Sequence, residues 1–243
     1  MVSKGVSNAL YNLMANVFKI ACVSVLSFAI TGLLVRSLGM ELFGVVTLAV
    51  TLHRYIGLSA IVLTSSVGRF VSIAYFNDNI ASANRYYSTA FFGLVLIIGV
   101  MVAVLLLAAP YLSSMFSYPK EYEQEVLFFF IASIIATLLT VLLSVFNVSF
   151  FIKHALYVGD LIAVVSRTFL LVLIIIYLHG LNVGDYGIFM VVSTITSLVL
   201  SFIFAKKYTP DLRLRISNVS RMELKDMAGM GFNSLFITLG TLL

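Results

Sequence analysis

The sequence predicts an all-α integral membrane protein in which six transmembrane helices form one lobe and a seventh helix begins. Three observations predict it. Of 243 residues, 61% are hydrophobic and 10% charged, with a mean hydropathy of +1.11. A soluble domain is about 45–50% apolar and about 25% charged, so too few polar side chains are present to coat a water-facing surface. Six apolar stretches reach the roughly 20 residues needed to cross a hydrocarbon core about 30 Å thick. Lysine and arginine concentrate in alternate connecting segments, as a fixed topology demands.

The first stretch, 10–34, carries Asn12, Asn16 and Lys19. It is too long and too polar inside for a cleaved secretory signal, and reads as a retained helix. The second, 42–67, has His53 and Arg54 near its middle. The third, 89–109, contains FFGLVLIIGVMVAVLLLAA without one polar side chain. The fourth, fifth and sixth are 126–151, 156–178 and 183–205. A β-barrel would need short alternating segments with polar lumen positions, and these runs are too long and too uniformly apolar. Residues 1–205 are thus expected to form a six-helix N-terminal transmembrane lobe. The longest polar stretch, 206–226, is expected to be a cytoplasmic linker, and 227–243 the start of a truncated second lobe. The echo of Asn8-Ala-Leu-Tyr in Asn233-Ser-Leu-Phe fits a second half restarting the first, and repeated halves are common in transporters.

Orientation follows from the basic residues. With the N-terminus in the cytoplasm, ten lie on the inner side: Lys4, Arg69, Arg85, Lys153, Lys206, Lys207, Arg213, Arg215, Arg221 and Lys225. The outer segments hold two, Arg36 and Lys120, beside five acids: Glu41, Glu121, Glu123, Glu125 and Asp185. The formal charge of +5 is therefore a topology signal and a means of contacting anionic membrane lipid, not a nucleic-acid patch.

Inside the membrane, polar residues recur at helical spacing. Ser133, Thr137, Thr140, Ser144 and Asn147 share one face of the fourth helix. Thr194, Ser197 and Ser201 share one face of the sixth. Both stripes read foremost as contacts between helices, because small hydroxyl residues let helices approach and bond. The amide stripe Asn12, Asn16 and Lys19 is a costly way to make such a contact, and reads equally as the lining of a wet cavity. Lys19, Arg54, Asp160 and Arg167 each cost about 2.5–3.5 kcal/mol at a helix centre on insertion scales. Asp160 and Arg167 are seven apart, on one face, and form the expected pair; Thr51 shares a face with Arg54. One reading is structural charge pairing within the bundle. The other is a cationic cavity for an anionic ligand, bound by Lys19, Arg54 and Arg167 and lined by Asn12, Asn16, Thr51, Asn147 and Asp160. No catalytic constellation, metal-ligand spacing or cofactor motif stands out. The single cysteine, Cys22, reads as packing.

Two stretches carry a resemblance. They are LLVRSLGMELFGVVTLAVTLHRYIGLSAIVLTSSVGRFVSIAYFNDNIASANRYYSTAFF, residues 33–92, and RMELKDMAGMGFNSLFITLGTLL, residues 221–243. Within the first lie the turn Arg36, Leu38, Gly39, Glu41, Phe43 and Gly44, the helix end Gly68-Arg69-Phe70, and the helix entry ANRYYSTA at 83–90. These resemble the polysaccharide-biosynthesis oligosaccharide flippases, which include the O-antigen type, of the multidrug/oligosaccharidyl-lipid/polysaccharide exporter superfamily. The resemblance implies two pseudo-symmetric six-helix lobes around a central cavity in the bacterial cytoplasmic membrane. It implies translocation of undecaprenyl-pyrophosphate-linked sugar repeat units, with no enzymatic step. This chain would be the N-terminal half, with the other lobe or a second copy as partner. A multidrug and toxin extruder is the nearest alternative, and a non-transporting truncated membrane protein a third. A membrane glycan polymerase needs a large, reactive external loop, and the one around Lys120 is short and acidic.

Overall fold

The computed structural model describes the backbone of residues 2–115 and 120–242, and the side chains of 10–51, 64–104, 107 and 121–231. The described residues are helical, with no strand: α1 (Val2–Phe76), α2 (Ile80–Met115), α3 (Glu123–Ile152), α4 (Leu156–Ile176), α5 (Val183–Tyr208) and α6 (Arg221–Leu242). Short 3-10 turns sit at Lys120–Tyr122, Leu178–Gly180 and Ile216–Asn218. The all-α expectation holds.

α1 is not one rod. Its Leu10–Thr51 apolar portion has 42 residues, about 63 Å at 1.5 Å per residue, twice the hydrocarbon thickness. The helix breaks at Gly39, whose φ of 76° and ψ of 172° are open to a residue without Cβ. Ile30 and Leu34 before the break share one buried cluster with Leu42 and Val45 after it, packed with Phe129, Leu170 and Leu181. Val67, Val71 and Ala74 belong to a second cluster, with Ala90, Phe146, Ile152 and Met227. The chain therefore runs up one side of the bundle, reverses at Gly39 and returns.

Five helices among the described residues are long and apolar enough to cross a membrane: Leu10–Thr51, Ile80–Val104, Glu123–Ile152, Leu156–Ile176 and Val183–Tyr208. The expected second stretch, 42–67, falls in α1 beyond Gly39, and the side chains of 52–63, Arg54 and His53 among them, lie outside the described residues. So do those of Lys4, Asn8, Lys120 and Asn233.

In lipid, helices associate through close packing more than through expulsion of water. The most extensive contact joins α3 and α5. At Gly187 a Cβ would come within 3.0 Å of Ala132 Cβ and 3.2 Å of Phe129 Cα, so the two backbones lie close. A capping box starts α5: Asp185 N donates to Asn182 Oδ1 at 2.8 Å, and Asn182 N to the Asp185 carboxylate at 3.4 Å.

The basic residues gather at one end of the bundle. Lys153 lies over the Tyr75 ring, Arg85 pairs with Glu223 at 2.8 Å, and Asn84 bonds the segment carrying Arg213. That segment is more than a tether. α5 continues to Tyr208 and α6 starts at Arg221, so the connection is 209–220. Its Leu212 is buried, and its backbone is held by Asn84, Ser88 and Thr89 of α2.

Candidate functional site

α1 and α4 are joined by three polar rungs. Asn12 donates from Nδ2 to His154 O at 3.1 Å and accepts from Tyr157 N at 3.2 Å. α4 has no side-chain cap of its own, because Ala155 occupies its N-cap position. Asn12 thus satisfies an orphan first-turn N–H from a neighbouring helix. Lys19 Nζ pairs with Asp160 Oδ1 at 2.5 Å. Arg167 Nη2 donates to Ser27 Oγ at 3.1 Å. The near-constant sequence offset, 140 to 145 residues, means that the first limb of α1 and α4 run parallel.

This geometry corrects the expected pairing. Asp160 neutralises Lys19, not Arg167, and Arg167 is met by a serine hydroxyl while its Nε is buried without a hydrogen-bond partner. Seven-residue spacing places Asp160 and Arg167 on one face, but about 10 Å apart along the axis. A residue on the neighbouring helix reaches each of them first.

Beside these rungs a cavity of about 490 Å³ opens between α1, α3, α4 and α5. Asn12, Asn16, Lys19, Asn147 and Asp160 line it, so five of the eight sequence-derived candidates converge on one space. Ser197 and Ser201 of α5 complete the polar wall, and Leu143, Phe150, Leu156 and Ala163 supply the apolar part. Gly159 keeps the α4 side open: a Cβ there would sit 3.3 Å from Asn147 Oδ1 and 3.3 Å from the Phe150 ring.

The other candidates lie elsewhere. Thr51 donates to Thr47 O at 3.0 Å and does not line the cavity. Arg167 is outside the lining, and the Arg54 side chain lies outside the described residues. Most of the α3 stripe turns inward on its own helix: Ser133, Thr137, Thr140 and Ser144 each donate to a carbonyl three or four residues back. That is how hydroxyls are satisfied in an apolar helix. Asn147, at the end of the stripe, makes no such bond and faces the cavity. Ser197 and Ser201, read first as helix contacts, belong to the lining. Their four-residue spacing was the available signal.

The polar part of the lining has one cation and one anion, joined to each other, and otherwise amides and hydroxyls. It is polar, half-enclosed by apolar walls, and formally neutral. Such a surface offers hydrogen-bond donors and acceptors without a net field.

Fold and cavity together define an all-helical protein with membrane-length apolar helices around a partly polar cavity. No family model matches the sequence. The chain is 26% identical over 234 residues to a Bacillus subtilis (strain 168) protein named uncharacterized membrane protein EpsK, a match covering 96% of this chain and 46% of the relative. Its fold is similar to that of an inward-facing multidrug resistance MATE family transporter of the MOP superfamily, with a TM-score of 0.69 and 16% identity. That likeness covers 90% of this chain and 53% of the transporter. The chain spans about half the length of both.

Proposed function

We propose that the chain forms one six-helix lobe, with the start of a second, of a bacterial flippase. Its substrate is a polyprenyl-pyrophosphate-linked oligosaccharide, and the cavity is the lobe's share of the headgroup path. One observation carries the reading: a space of about 490 Å³ with one wall of asparagine amides, serine hydroxyls and one internally neutralised ion pair, and the rest apolar. Its volume is within the roughly 300–1,000 Å³ common for small-molecule sites. Sugar hydroxyls need donors and acceptors at close range and no excess charge. Asn16, Asn147, Ser197 and Ser201 supply them, and Lys19 is the cation within reach of a phosphate once Asp160 releases it. Arg167 acts in positioning α1 against α4 instead of contacting substrate.

The Asp160 carboxylate favours a second reading, a multidrug extruder of the MATE type, because an acid in the cavity suits a cationic substrate. Binding to the purified chain in nanodiscs separates the two. Under the flippase reading a short-chain polyprenyl-pyrophosphate disaccharide binds, and Asn16→Ala or Asn147→Ala each weakens it by roughly two- to tenfold, the worth of one hydrogen bond. Under the extruder reading tetraphenylphosphonium binds instead, and Asp160→Asn abolishes that binding. Failure of the disaccharide to bind in either lipid or detergent would remove the flippase reading.

A further inference from the structure

We propose that the basic end of the bundle carries a binding site for the phosphate headgroup of an anionic glycerophospholipid, built by Lys206, Arg213 and Arg215. The inference is independent of what the central cavity transports.

The site begins as a pattern in the chain. Residues 212–215 read Leu-Arg-Leu-Arg. In extended backbone this alternation sends the leucines one way and the arginines the other. The structure holds such a conformation at Arg215, with φ −138° and ψ 132°. Leu212 is buried, Leu214 half-buried, and both arginines are exposed.

The backbone beneath the arginines is fixed. Asn84 grips it from both sides, donating to Asp211 O at 3.1 Å and accepting from Arg213 N at 2.6 Å. Ser88 Oγ does the same one step on, donating to Arg213 O and accepting from Arg215 N, each at 3.2 Å. The guanidinium groups are therefore presented from an anchored extended segment, at lower ordering cost than a free loop would incur.

Two adjoining depressions share Arg213 and Arg215. One, of about 450 Å³, has an apolar floor of Tyr87, Phe202 and Leu212 and adds Lys206 to its rim. The other, of about 310 Å³, includes Asn84 and Asp211. Across 206–215 the chain has four cations (Lys206, Lys207, Arg213 and Arg215) and one acid, Asp211. Among the described residues none of those four cations forms an ion pair; the two pairs present are Lys19–Asp160 and Arg85–Glu223. Unpaired arginines in a fixed frame suit phosphate oxygens, which a guanidinium fork can bind in bidentate fashion.

Two features select a lipid over a free anion. The apolar span of α5 ends at Tyr208, so the depressions lie at headgroup depth, where basic pockets between helices bind anionic headgroups. Apolar side chains also continue the surface: Ile216, Val219 and Met222 are exposed at 75%, 45% and 74%. Inorganic phosphate has no use for such a floor and flank, whereas the glycerol and upper acyl carbons of a phospholipid do.

The test titrates the detergent-purified chain with dioleoyl phosphatidylglycerol or dioleoyl phosphatidylcholine and counts retained lipid by native mass spectrometry. Phosphatidylglycerol should be retained in preference. The triple variant Lys206→Gln, Arg213→Gln, Arg215→Gln should lose roughly a hundredfold in affinity, given the worth of each basic residue near an anionic headgroup. The double variant Arg221→Gln, Lys225→Gln, which removes two charges from the same end but outside the depressions, should change it less than threefold. All five side chains are exposed, and an unchanged thermal midpoint checks that each variant is folded. Equal retention of both lipids, an unaffected triple variant, or displacement of the lipid by millimolar inorganic phosphate would each overturn the proposal.

Discussion

Lys19 of α1 and Asp160 of α4 form an ion pair on the wall of the central cavity, with their side chains 29% and 15% exposed. The pair does two things. It cancels the charges that each helix carries into the membrane, and it sets the register between two parallel helices, one rung above the Asn12 contact with the start of α4. Removing one partner leaves the other charge in a half-enclosed, partly apolar space, and that is costlier than losing both.

The single variants Lys19→Met and Asp160→Asn should each destabilise the protein by about 1–3 kcal/mol, below the range for fully buried pairs because water reaches this one. The double variant should be less destabilised than the sum of the two. Thermal unfolding in one detergent measures all three. Strict additivity would mean that the pair has no coupling and that the register is held by the amide and serine rungs alone.

Asn84 supports two backbone bonds to 211–213 with one side chain. Asn84→Ala should raise amide hydrogen exchange at Arg213 and Arg215 by about an order of magnitude, as expected for loss of a bond or two worth 0.5–1.5 kcal/mol each. Exchange in α4, which packs against α1, α3 and α5, should stay as it was. Unchanged exchange at Arg213 would show that Ser88 and the buried Leu212 are sufficient to hold the segment.

The helices were legible in the sequence because lipid imposes a simple requirement, long apolar runs, and 89–109 and 126–151 meet it without a single charged side chain. The cavity was partly legible, since Asn12, Asn16 and Lys19 follow one helix face and a polar face in a membrane needs a polar neighbour. The partner of Lys19 was not. Spacing along one helix relates Asp160 to Arg167, while contact between helices depends on a chain offset of about 140 residues that no local pattern encodes. Thr51 illustrates the same limit, because its face was readable but its bond to Thr47 O satisfies it without any neighbouring helix. The stretch 206–226 reads as a cytoplasmic linker by composition, and 209–220 is the connection within it. Its Leu-Arg-Leu-Arg alternation was the sign that one side of it is docked.

The last prediction concerns orientation. Nine basic residues from Arg69 to Lys225 sit at the end of the bundle that holds the 77–79, 153–155 and 209–220 connections, whereas Glu123, Glu125 and Asp185 begin α3 and α5 at the opposite end. The positive-inside rule predicts that the basic end is cytoplasmic, and with it the early part of α1, whose Asn12 meets His154 at that end. Cysteine labelling in a Cys22→Ser background tests this, with Asn77→Cys, Ser217→Cys and Glu123→Cys as reporters, all three at exposed positions. Asn77 is preferred to its neighbour Asp78, whose φ of 55° would strain a substituted side chain. In intact cells a membrane-impermeant maleimide should modify position 123 and spare 77 and 217, and permeabilisation should expose all three. Labelling of 217 from outside, with 123 protected, would invert the topology and move the proposed lipid site to the outer leaflet.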